Sequence, residues 1–121
     1  MAQLHLKPTT ARRFDAYRVA LELVALVRPF AARIRREDKE LANQLTRALP
    51  SIPQNLAEGM RRVGDDRAYL LTVVLGSADE VRTIVDVALV SGMIEAEEAA
   101  HAEELADRVC AMVFRVREKL A

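Results

Sequence analysis

The chain has 121 residues, 51% hydrophobic and 30% charged, with four Gly, four Pro, one Cys and no Trp. That length suits one domain whose core needs no metal, and the single Cys110 excludes an intrachain disulfide and fits a reducing compartment, the cytoplasm. Formal net charge is zero, yet residues 1–64 hold twelve Lys and Arg against six Asp and Glu, a net of +6, and residues 65–121 the reverse. Such a split suits halves that attract each other, or a basic surface kept for a polyanion.

Aromatics are only 4%, so the core must be aliphatic, and few Gly and Pro leave room for few turns. Residues 1–9 lack periodicity and contain Pro8, which predicts a flexible N-terminal arm ahead of a single domain over residues 10–121. Met1 to Thr10 lacks the apolar run of a signal peptide.

Thr9 or Thr10 can cap a first helix running to about Ile34, with Pro29 bending it. Arg35 to Asp38 connects it to a second helix, from Asp38 to about Arg62, interrupted at Pro50 and Pro53 with Ser51 as an internal cap. Val63-Gly64-Asp65 reads as a stop and restart, since Asp65 and Asp66 suit the positive end of a helix. The third helix reaches Val90 and ends at Ser91-Gly92. Glu95, Glu97 and Glu98 open the fourth, which continues to about Lys119.

Short connections between long helices predict an all-α, antiparallel, up-down-up-down four-helix bundle with a proline kink in its second helix. The longest uncharged stretch, Ala68 to Ala78, is far below the roughly 20 residues that span a bilayer, so no membrane is expected. The apolar stripes are wide: the first helix is apolar at Tyr17, Leu21 and Val24 and again at Val19, Leu23, Leu26, Val27 and Phe30. The third and fourth are apolar all round at Val87–Val90 and Val109–Phe114. Helices apolar on more than one side need a second cover, which predicts a homo-oligomer.

Two segments exceed generic helix. One reads Gln44-Leu45-x-Arg47-Ala48-x-x-Ser51-Ile52-Pro53-x-Asn55-x-Ala57-Glu58-Gly59, the other Gly76-Ser77-x-x-Glu80-x-x-Thr83. Gln44, Ser51, Asn55 and Glu58 share one helix face, as do Gly76, Glu80 and Thr83 on the next helix. Two such polar stripes can meet, Gly76 allowing a close approach, with Glu58 and Glu80 hydrogen-bonded to Ser51, Asn55, Ser77, Thr83 or Arg47. The network either fixes helix register or forms part of a functional pocket.

Together the segments resemble the 23S rRNA-intervening-sequence protein family, whose members carry "QLxRAxxSIPxNIAEG" followed by "GSxxELxT". Tyr17 stands where the family usually has Trp, Leu49-Pro50 where the pair is usually proline-free, Leu56 for Ile and Val81 for Leu. The resemblance implies a left-handed up-and-down bundle that assembles into a ring, typically a pentamer. A similar fold is that of the accessory variability determinant of diversity-generating retroelements, which associates with nucleic acid and a reverse transcriptase. It implies no enzymatic activity and no cofactor.

The residues themselves build no reaction. Glu98-x-x-His101 has the spacing of a di-iron ligand pair, but such sites need two, and the only other histidine, His5, lies in the arm. Cys110 stands in an apolar run without a partner, as an inert thiol would. No phosphate-cradling glycine loop and no Ser-His-Asp set occurs.

Charge position says more. One end of an up-down-up-down bundle collects Lys7, Arg12, Arg13, Arg61, Arg62, Arg67, Arg115, Arg117 and Lys119 against Asp15, Glu58, Asp65, Asp66 and Glu118. The other end sets Arg33, Arg35, Arg36 and Lys39 against six acids. Ring symmetry would put every basic end on one face, where a salt-dependent RNA- or DNA-binding surface could form; a merely solvated helix end is the alternative. No aromatic interleaving points to base readout. The chain is therefore expected to be a non-catalytic ring-forming bundle that binds nucleic acid, or else a structural module that binds a protein partner.

Overall fold

The computed structural model describes residues 15–119. All regular structure among them is α-helical: α1 (Asp15–Val27), α2 (Phe30–Arg35), α3 (Lys39–Met60), α4 (Gly64–Val90) and α5 (Ala96–Glu118). The arm over 1–9, the Thr9 or Thr10 cap and the start of the first helix lie outside the described residues.

Pro29 does more than bend the first helix: it divides it into α1 and α2. Proline has no N–H for the preceding turn, so the chain passes through two turn residues, Arg28 and Pro29. Pro29 keeps right-handed helical dihedrals (φ −61°, ψ −22°), and α2 resumes at once.

The interruption expected in the second helix does not occur. α3 runs unbroken through Pro50 and Pro53, and Pro53 is buried. Leu45, Ala48, Leu49, Ile52 and Leu56 are all buried on its inner side, and that apolar packing outweighs the two missing backbone bonds. Ser51 is not a cap: its hydroxyl donates to the Ala48 carbonyl at 2.7 Å. The true cap is Asp38, whose carboxylate accepts from the Leu41 N–H at 2.9 Å.

The expected turn at Gly92 ends α4, whereas Gly64 does not cap α3, which ends at Met60 with Arg61 as its cap, but opens α4 after Val63. Gly64 (φ 59°) and Gly92 (φ 75°) take the left-handed conformation. At Gly92 the Met93 N–H reaches the Ala88 carbonyl at 2.8 Å and the Gly92 N–H that of Leu89 at 3.0 Å, a Schellman ending for α4. Asp65 and Asp66 occupy the first turn of α4, as expected.

The core is aliphatic and continuous. In the first two segments the inner stripe is Ala16, Val19, Ala20, Leu23, Val27, Phe30 and Ile34, with Tyr17 and Val24 on its half-buried border. α3 packs on α4, α4 on α5, α5 on α1, and α3 also on α1 and α2. Opposite ends meet in these pairs: Arg33 reaches Glu98 while Asp15 to Glu22 lie along Arg108 to Arg115. No described residue that is polar or charged is buried.

Candidate nucleic-acid interface

The polar stripes meet at one point only. The Ser51 and Ser77 hydroxyls share a hydrogen bond at 2.6 Å, joining α3 to α4. Asn55 donates from Nδ2 to the Ser51 carbonyl at 2.8 Å, along its own helix. Gln44 is half-buried.

The expected carboxylate network is absent among the described residues. Glu80 is exposed, and Thr83, also exposed, donates to the Asp79 carbonyl one turn back. Glu58 turns to the surface instead, where Arg62 (2.6 Å) and Arg61 (3.1 Å) bind it. Those two guanidiniums, Arg62 first, hold the Glu58 carboxyl below its usual range. Helical spacing identified which residues share a face, but not that the Glu80 face points to water.

The close approach lies at Gly59, not at Gly76. A Cβ on Gly59 would stand 3.3 Å from the Leu70 Cβ and 3.6 Å from the Leu71 Cδ2, whereas one on Gly76 would meet nothing within 4 Å. Gly59 therefore sets how tightly the C-terminal end of α3 lies on α4.

Of the predicted basic residues, Arg12 and Arg13 lie outside the described residues. Arg61 and Arg62 are engaged by Glu58. Arg67 serves the fold: its Nε and Nη2 donate to the Gly59 (3.2 Å) and Met60 (3.1 Å) carbonyls, closing the end of α3. Arg117 stacks on the Phe114 ring, 5.2 Å from its centroid, and donates to the Thr72 hydroxyl at 3.4 Å. Lys119 caps the end of α5 and is exposed.

Arg115 has a different setting. It lines an open groove of about 480 Å³ between α1 and α5, with Arg18 and Arg108, over a floor that includes Val19, Ala111 and Met112. Asp15 and Glu22 complete the lining. None of the three guanidiniums forms an ion pair with any described residue. Three cations against two carboxylates, on a concave surface, make a cradle suited to phosphate oxygens.

Counting charges by helix end missed Arg18 and Arg108. The spacing of Arg108 and Arg115, two turns apart on one face of α5, carried the signal; the rotational setting of α1 against α5 did not. A model of the 23S rRNA-intervening sequence protein family matches residues 12–115. The chain belongs to that family. No curated protein matches it. The family match takes in all three groove arginines, whereas Arg117 and Lys119 lie beyond it.

In this family member other charged groups join elements of the fold. Glu98 accepts from Arg33 Nη1 and Nη2 at 2.9 and 2.7 Å and from the Glu95 N–H at 2.9 Å. These donors, Arg33 foremost, push its carboxyl down to about 2. His101 is exposed, and no group of three or more His, Cys, Asp or Glu that could hold a metal occurs among the described residues. Cys110 is half-buried near Arg82, and burial pushes its thiol up, away from the reactive thiolate. Arg82 itself ties α4 to α5 through Glu103 at 3.0 Å and through Asp107. No described helix is long and apolar enough to cross a membrane.

Proposed function

We propose that the chain is a non-catalytic, antiparallel up-down-up-down four-helix bundle that assembles into a homo-oligomeric ring and binds RNA or DNA through one basic end. α1 and α2 would form the first rod, split at Pro29, and α3 the second, bent at Pro50–Pro53. The neighbour order of the helices and the meeting of opposite ends support this topology. The half-buried Cys110 suits the cytoplasm.

Self-association draws support from apolar surface that the chain leaves uncovered: Val87, Leu89 and Val90 at the end of α4 are all exposed, Val90 to 85%. A ring, with a pentamer as the form expected from the family resemblance, would align every basic end on one face. The observation that carries the nucleic-acid reading is the α1/α5 groove, which Arg18, Arg108 and Arg115 line without an ion pair to any described residue.

A second reading, a structural module with a protein partner, draws on the pairing of Arg61 and Arg62 with Glu58, which neutralises much of the α3–α4 turn. Native mass and nucleic-acid content, measured together on protein purified at low salt, separate the two. The nucleic-acid reading expects an oligomer carrying nucleic acid, and an Arg108→Glu/Arg115→Glu variant of unchanged mass without it. An oligomer free of nucleic acid in both forms favours the protein-interaction module.

A further inference from the structure

The basic end also holds exposed aromatic surface. Among the described aromatics Phe30 is buried and Tyr17 half-buried, but Tyr69 is 68% exposed and Phe114 47%. Each lies one helical turn from the Arg117–Thr72 contact that joins α5 to α4. Arg117, one turn after Phe114 and lying over its ring, reaches across to Thr72, one turn after Tyr69. Arg115, the residue after Phe114, turns toward the α1/α5 groove.

An exposed ring beside a guanidinium and a basic groove is what a splayed base and its phosphate require. Bases stack on aromatic faces whatever their sequence, and Arg adds cation–π attraction. In a duplex those faces are already stacked on each other, so such a platform discriminates by strandedness.

We infer that Phe114 and Tyr69, with Arg117 between them, form a stacking subsite that makes the basic end select single-stranded RNA or DNA over duplex. The inference rests on the nucleic-acid reading of the α1/α5 groove and adds the class of nucleic acid. Asp65 and Asp66 lie just before Tyr69, so the strand leaves Tyr69 toward Arg117 and Arg115 rather than toward the α3–α4 turn.

A second copy of the chain fits this patch less well. Covering it would desolvate Arg115, Arg117 and Lys119, whereas Val87, Leu89 and Val90, at the far end of the same helix, offer apolar surface free of that cost. A polyanion compensates the three cations.

The test is fluorescence polarisation of the full chain with a labelled 15-nucleotide oligothymidylate and a 15-base-pair duplex at one fixed salt concentration. The wild type binds the single strand more tightly. Phe114→Ala weakens single-strand binding about tenfold or more, leaves duplex binding within about twofold, and is rescued by Phe114→Trp. Because the chain lacks Trp, its own tyrosine fluorescence reports stacking: the single strand quenches it, and Tyr69→Phe removes most of that quench.

Equal affinity for both probes, with Phe114→Ala without effect, overturns the stacking subsite and leaves the groove standing. A wild type that binds neither probe overturns the groove and the subsite together. A fall in native mass on Phe114→Ala assigns the patch to contact between copies and overturns the subsite.

Discussion

Two sites on the helical array carry arginines and use them in different ways. Beside the α4–α5 turn, Arg33 grips both oxygens of Glu98, which also accepts from the first backbone N–H ahead of α5, so the charge is consumed in joining elements. From the middle of α5 toward the other end, Arg108, Arg115 and Arg18 face one groove without an ion-pair partner among the described residues. The Arg33 guanidinium is spent on closing the fold, whereas the three in the groove keep donors available to a ligand. Formal charge alone does not separate the two cases, because both ends contain acids.

This contrast can be broken by substitution. The largest effect on stability is expected at the basic end's tightest point: Gly59→Val forces two methyl groups toward Leu70 and Leu71 and should cost about 2–3 kcal/mol in urea unfolding. Polyanion binding should weaken with it, because α3 and α4 can no longer close.

At the paired end, Glu98→Ala should cost about 1 kcal/mol, discounted for the partial exposure of the pair, while polyanion affinity stays unchanged. Loss of binding in this variant would mean that the two ends do not have separate tasks. Gly76→Ala should raise stability by about 0.5–1 kcal/mol, since the new methyl meets nothing and alanine favours helix. A fall in native mass instead would reveal a second copy seated on that face of α4.

Acid gives the smallest and most specific effect. Glu98 titrates near 2 in the folded chain against an ordinary value of 4.5, so its pair stabilises the fold above about pH 4.5 and is lost as pH falls toward 2. Thermal unfolding followed between pH 5 and pH 2.5 should show a steeper loss for the wild type than for Glu98→Ala.

Much of the fold was legible in the sequence because its signals are local. Glycines at positions 64 and 92, acids in first turns and apolar periodicity each act within a few residues, and the helices followed. The prolines were less so. Pro29 stands exposed and ends α1, while Pro50 and Pro53 ride on a helix clamped by Leu45, Leu49, Ile52 and Leu56, so burial decided between identical local chemistries. The site was legible only in part. Arg115 stood among the expected basic residues, but Arg18 and Arg108 join it only through how α1 is rotated against α5; Phe114 read as part of an apolar surplus, and Tyr69 carried no reading. Glu58, Glu80 and Gly76 were assigned to a helix contact from shared spacing, yet spacing does not say which face meets the neighbour.

Binding of phosphates in the α1/α5 groove is tested most directly by the salt dependence of affinity. Affinity for a single-stranded oligonucleotide is measured from about 50 to 200 mM salt for the wild type and for Arg108→Glu/Arg115→Glu. Phosphate binding in the groove gives a steep linear fall of log affinity with log salt for the wild type, and a slope smaller by about two contacts, with weaker binding throughout, for the variant. Identical slopes and affinities for the two proteins would contradict it.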